Sequence, residues 1–240
     1  GSLVTARQTA QRARWVVTSP LGTSGVWSSL GPADGPTLLV VGGHHGDEPA
    51  GYAAAGILSQ YAQAEVGRLV VIPRANPSAC EVFSRYSDSG GETDLNRCYR
   101  MPAGHRDAGC DTALHAAALL AAVTELRPDV VLDLHETSEH HSIARSRSEA
   151  GWCFADNETD RALAKAARVS VQHEDDPLRC TFTATMSDLG ARSLAIETRV
   201  GVMLGQRVRA HLEIVRRVAE VVGVRCSLDL RALNARLGGS

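Results

Sequence analysis

Three short stretches of this 240-residue chain bring together residue types that do chemistry: Gly42-Gly43-His44-His45-Gly46-Asp47-Glu48, Asp133-Leu134-His135 and Ile196-Glu197-Thr198. The first offers a His-x-x-Glu pair, the second a lone His after an apolar run, and the third a lone Glu after another. Two imidazoles and one carboxylate are the protein ligands of a hydrolytic zinc centre that leaves one position for water. A further carboxylate, off the metal, is what such a centre needs as its general base.

Each piece also has a plainer reading. His45 and Glu48 bracket Gly46 in a turn that enters a helix, so both side chains can aim at one point; alone, such a pair more often marks a solvated helix start. His44 competes as a ligand, because His44 and Glu48 would share a helix face, but Pro49 fits the first turn of a helix and puts both histidines before it. An isolated His135 would be a core histidine, although Asp133, Glu136 and Thr137 crowd it with more polarity than a core strand end carries. Glu197 ends the apolar run Ser193 to Ile196, where a carboxylate is costly without a partner. That partner is either an arginine such as Arg199 or a water at the metal.

These residues need elements to hold them. Apolar runs at Leu38 to Val41, Leu69 to Ile72, Val130 to Leu134 and Leu194 to Ile196 predict buried strands. Alanine-rich stretches with helical periodicity lie at Pro49 to Gln63, Thr112 to Leu126, Glu158 to Ser170 and Gly205 to Val222. Strand and helix in alternation predict a three-layer α/β/α sandwich with a mixed, mostly parallel sheet, and the whole chain, 1–240, as one domain. Ser84 to Gly109 and His140 to Gly151, rich in Gly, Ser and charge, read as long loops. Every zinc candidate follows a predicted strand, on the side where open α/β sheets bind ligands.

With Asn76-Pro77-Ser78-Ala79 and Asp94-Leu95-Asn96-Arg97, the islands together resemble the M14 metallocarboxypeptidase superfamily, and most of all its succinylglutamate desuccinylase and aspartoacylase branch. The resemblance covers roughly residues 38 to 201 and lies in the combination and order of the motifs. It implies one zinc ion per chain on His45, Glu48 and His135, with Glu197 as general base and later proton donor. It implies that Asn96 and Arg97 hold a substrate carboxylate, for which amide and planar guanidinium are suited. Asp94 matches the acidic residue that orients the first zinc-binding histidine. Arg85, in Ser84-Arg85-Tyr86, is the nearest match to the family's oxyanion arginine.

Two departures bear on the substrate. Aspartoacylases carry a β-rich domain after the catalytic glutamate, whereas Thr198 to Ser240 reads as one helix and a short end. Carboxypeptidases use a tyrosine shortly before that glutamate, and no tyrosine follows Tyr99. The expected activity is therefore hydrolysis of an amide bond in a small, carboxylate-bearing substrate, with an N-acyl amino acid deacylase ahead of a carboxypeptidase or peptide amidase. A metal- or small-molecule-binding protein on the same fold is the non-enzyme alternative; Glu197, which zinc binding does not require, speaks against it.

Bulk properties agree. A net charge of −2 gives no case for nucleic acid or an anionic membrane surface. No apolar run approaches the ~20 residues of a membrane span. Six scattered cysteines without a C-x-x-C pair predict reduced thiols and a cytoplasmic protein. Gly1-Ser2 has the look of a remnant of tag removal, which would leave the natural N-terminus unseen. Nothing in the sequence fixes the oligomeric state, the acyl group or the amine released.

Overall fold

The computed structural model describes residues 11–87, 93–101, 105, 107, 109–137, 151–172 and 180–228. In chain order come β1 (Gln11–Ser19), β2 (Gly22–Leu30), β3 (Ala33–Gly42), α1 (Pro49–Tyr61), β4 (Ala62–Ile72) and α2 (Pro77–Val82). A single 3₁₀ turn, Leu95–Arg97, is followed by α3 (Asp111–Leu126), β5 (Val130–Thr137), β6 (Gly151–Phe154), α4 (Glu158–Ala166) and β7 (Ser170–Gln172). The last described elements are α5 (Phe182–Asp188), β8 (Arg192–Arg199), α6 (Leu204–Val222) and β9 (Arg225–Leu228).

Among the described residues nine strands join one sheet in the order β1-β2-β4-β3-β5-β8-β6-β7, with β9 on β4. Its centre, β4-β3-β5-β8, is parallel throughout. The β1–β2 hairpin and β9 add antiparallel neighbours at β4, and β6 runs antiparallel to β8 but parallel to β7. The sheet is mixed and helices cover both faces, which is the expected three-layer α/β architecture.

The two faces follow from the alternation of side chains along each central strand. Leu38, Val40, Leu69, Val71, Val130, Leu132, Leu194 and Ile196 pack beneath α1, α4 and α6. Their neighbours Leu39, Val41, Val70, Ile72 and Val131 pack beneath α3 and α5. A strand buried on both sides needs a continuous apolar run, and that is why these four were readable.

Local chemistry sets the helix ends. Asn76, Asn157 and Thr181 each accept a backbone N–H at the start of α2, α4 and α5. Glycine at position 223 takes φ +86° and stops α6, a conformation other residues adopt at a cost. The helix expected from Glu158 ends at Ala166, because Arg168 turns to a positive φ of 55° and the chain enters β7 at Ser170. Of the two expected loops, 88–92, 102–104, 106, 108 and 140–150 lie outside the described residues. No helix among the described residues is long and apolar enough to cross a membrane.

Candidate metal centre

The loop between β3 and α1 carries the first two candidate ligands. It is clamped from below: the Ala75 and Asn76 N–H groups donate to the Gly42 and Gly43 carbonyls at 2.8 Å each, and the Gly46 N–H donates to Ser84 O at 2.8 Å. Position 46 tolerates only glycine, since a Cβ there would run into the Ala79 carbonyl. Helix α1 begins at Pro49, so His45 and Glu48 both precede it. His45 Nδ1 consequently lies 2.7 Å from Glu48 Oε1.

His135 comes from the C-terminal end of β5, and its Nδ1 lies 2.8 Å from the other oxygen of Glu48. Each imidazole turns its outer nitrogen to a carboxylate: His45 Nε2 to Asp94 Oδ1 at 2.9 Å, His135 Nε2 to Asp133 Oδ2 at 2.8 Å. The ligand atoms of His45, Glu48 and His135 all lie within 4.8 Å of one another, and the three residues are buried. Two Nδ1 atoms converging on one carboxylate, with the outer nitrogens held by further acids, is a donor set that fits a divalent cation. His44, Asp133 and His135 form a second group that meets the same spacing.

The electrostatics of the cluster are those of a site built around positive charge. Burial pushes the Glu48 carboxyl up, yet His45 and His135 outweigh it and hold the group well below its usual range. Burial alone would lower His135, but Asp133 and Glu48 raise it well above an ordinary imidazole. A cation among these atoms takes over the role of the protons that the acids otherwise retain on the rings.

Glu197 reaches the same place from β8. Parallel register sets its Cα beside that of His135, so the two side chains emerge on the same face. The Thr137 hydroxyl donates to Glu197 Oε2 at 2.6 Å. Burial, with Glu48 adding to it and His135 opposing, pushes the Glu197 carboxyl up to about 7, a value suited to exchanging protons near neutrality.

The remaining sequence candidates border this cluster. Asp94 accepts from the Asn96 N–H at 2.8 Å and from Arg85 Nη2 at 2.8 Å, and Arg85 Nη1 stands 3.4 Å from Glu48 Oε1. Asn96 faces inward: its Oδ1 accepts from Phe182 N–H at 2.8 Å, and its Nδ2 lies 3.2 Å from His135 Nε2. Arg97 is half-buried and donates to the Asn96 carbonyl at 2.8 Å. Inspection of the sequence missed Thr137, Tyr99 and Phe182; the sole signal for Thr137 was the polarity after His135, and Tyr99 and Phe182 gave none.

Residues 34–222 match the succinylglutamate desuccinylase/aspartoacylase catalytic domain. Over 104 residues the chain is 38% identical to the N-alpha-acetyl-L-2,4-diaminobutyric acid deacetylase of Halomonas elongata, a stretch covering 42% of this chain and 29% of that protein. The chain thus spans under a third of that relative's length. Its fold is similar to that of a succinylglutamate desuccinylase/aspartoacylase from Rhodobacter sphaeroides, with a TM-score of 0.63 and 23% identity over 93% of this chain and 68% of the other. It is also similar to the tripeptide-bound cell shape determinant Csd4 of Helicobacter pylori, with a TM-score of 0.71 and 15% identity over 92% and 57% of the two chains. Both structural likenesses are likenesses of fold. The domain match, which takes in the β3–α1 loop, β5 and β8, carries more: this chain belongs to the succinylglutamate desuccinylase/aspartoacylase family.

Proposed function

We propose that the protein is a zinc-dependent amidohydrolase that frees an amino acid from its N-acyl derivative, with one zinc ion per chain held by His45, Glu48 and His135. The observation that carries this reading is the meeting of His45 Nδ1, His135 Nδ1 and the Glu48 carboxylate beside Glu197. Zinc, when bound, supplies Lewis acidity that polarises the scissile carbonyl and acidifies water. The choice of zinc rests on the family, because ligand affinity order alone does not select it.

The chain's own groups supply the rest. Glu197, raised to about 7 by burial, accepts a proton from the attacking water and returns it to the leaving amine. Thr137 holds the other end of that carboxylate's swing by donating to Oε2. Arg85, which donates to Asp94 at the rim of the cluster, offers a guanidinium N–H to the developing oxyanion on this reading. Arg97 anchors the substrate carboxylate, while Asn96, already engaged with Phe182, fixes the loop that presents it. Six free thiols support a reducing, cytoplasmic setting.

The test is a panel of N-acetyl and N-succinyl amino acids, N-acetyl-2,4-diaminobutyrate among them, and short peptides, offered to the zinc-loaded protein with detection of released amine. Release from N-acyl amino acids that a chelator abolishes is the expected result. Release from peptides alone would replace the deacylase with a carboxypeptidase or amidase, and no release from any substrate would leave a binding protein.

A further inference from the structure

Behind the ligand cluster runs a line of buried polar groups that hydrolysis does not use. Tyr99 and His44 are each 1% exposed and Asp133 is fully buried. His44 Nε2 lies 2.8 Å from the Tyr99 hydroxyl, and His44 Nδ1 lies 2.8 Å from Asp133 Oδ1. The other Asp133 oxygen is the one 2.8 Å from His135 Nε2. The rings are locked by packing: His44 stacks on His135 with centroids 5.8 Å apart, and Tyr99 meets His44 edge-on at 5.5 Å. Phe182 closes the far side, 5.2 Å from His44 and 5.1 Å from Tyr99.

Counting donors and acceptors gives the line one direction. A carboxylate between two imidazoles only accepts, so His44 Nδ1 and His135 Nε2 both carry hydrogen. With Nδ1 on Asp133, the other ring nitrogen of His44 is the one that meets the Tyr99 hydroxyl. His135 Nδ1, 2.8 Å from a Glu48 oxygen, is then the nitrogen whose hydrogen a cation would replace, while the hydrogen on Nε2 stays directed at Asp133. The Asn96 amide nitrogen also lies near His135 Nε2, but at 3.2 Å it is the longer contact, and its orientation is dictated by Phe182 N–H on Oδ1. The carboxylate at 2.8 Å governs.

We propose that Tyr99 and His44 are positioning residues for the metal centre: through Asp133 they hold His135 in the tautomer whose Nδ1 faces the cation. The adjacent histidines of the β3–α1 loop then have separate tasks. His45 binds the metal, and His44 reaches across to β5 and orients the ligand that β5 supplies. Tyr99 joins this line to the Asp94–Arg97 segment, which orients His45 through Asp94. The inference rests on the metal centre proposed above, not on the identity of the substrate.

The experiment uses the whole chain, stripped and reloaded, with zinc affinity from chelator competition and the visible spectrum of the cobalt(II) form. His44→Phe keeps a ring but neither nitrogen, and is expected to weaken zinc about 10–100-fold and alter the cobalt spectrum. His44→Asn can return an amide N–H to the place of Nδ1 and should recover most of the affinity. Tyr99→Phe should change the spectrum in the same sense with a smaller loss, and His45→Phe should lose the metal. Unchanged affinity and spectrum in His44→Phe overturn the proposal. So does loss of metal from His44→Phe with retention in His45→Phe, which would put the cation on His44, Asp133 and His135. If His44→Phe does not fold, Tyr99→Phe decides in the same way. A wild type that binds zinc and shows these effects but releases no amine keeps this inference and loses the deacylase; one that binds no zinc loses both.

Discussion

At the C-terminal ends of β5 and β8, adjacent residues build two buried polar clusters on opposite faces of the sheet. On one face His135 and Glu197 meet His45 and Glu48. On the other, one residue further along each strand, Glu136 binds Arg207 and the Ala50 N–H, and Thr198 binds His211. Both are costly to bury, yet they differ in kind. Glu136 is closed: one oxygen takes the Arg207 guanidinium and the other takes the start of α1, where the helix dipole favours an anion. The His135 side is open in the chemical sense, because two imidazoles and a carboxylate point their lone pairs at one place. Burial of polar groups therefore does not distinguish a site from a brace. Convergence of lone pairs does.

Substitutions can break this contrast. The largest effect belongs to Glu197→Gln, which should retain zinc and the fold but lose about 100- to 10,000-fold in turnover; near-normal rates on a cleaved substrate would make Glu197 a structural group like Glu136. Next is Arg207→Met on the opposite face, which strands a buried carboxylate and should cost about 3–5 kcal/mol in chemical denaturation while leaving zinc affinity intact. A loss of metal at normal stability would mean that the faces are not separate. Arg97→Ala should lower kcat/KM about 10- to 100-fold, as for a hydrogen bond to a charged group. Amidating the substrate carboxylate should then hurt wild type far more than the variant, and equal discrimination by both would remove Arg97 as anchor.

The smallest effect is in pH. Burial, with His135 adding to it, pushes His211 down to about 3 from an ordinary 6.5. Above about pH 6.5 the imidazole is neutral in folded and unfolded chains alike. As pH falls from 6.5 towards 3 the unfolded chain takes up a proton that the folded one refuses, so this stability is present above the window and lost within it. The slope approaches 1.4 kcal/mol per pH unit. His211→Gln should unfold less steeply between pH 6.5 and 5 than wild type in denaturant titrations; parallel curves would show that His211 does not titrate as described.

What could be read from the sequence follows physical lines. The four central strands were visible because both their faces are buried, so their apolar runs are unbroken. The β1–β2 hairpin was not, because residues such as Arg12, Arg14, Thr18 and Thr23 leave no such run. Strands β6 and β7, of four and three residues, are too short to show a period, and they owe their place to pairing. His45, Glu48, His135 and Glu197, each ambiguous alone, were legible as candidates through the combination and order of their motifs. Thr137, Tyr99 and Phe182 were not, since their partners are set by which strands and loops lie side by side. Asn96 looked like a substrate contact, and the structure shows its amide turned inward to Phe182 and His135.

The parallel pairing of β3 with β5 and of β5 with β8 also has a kinetic consequence. His45 and Glu48 are local, but His135 is nearly ninety residues downstream, and it arrives only when β5 has docked along β3. Closing such a loop is slow and comes before its reward. A cation therefore has two ligands in the early chain and its full set only near the end, so it does little to guide folding. On the proposed reading, a cation bound to the finished sheet would act on the reverse step, making the β3–β5 seam harder to open and lengthening the life of the native state more than hastening its formation.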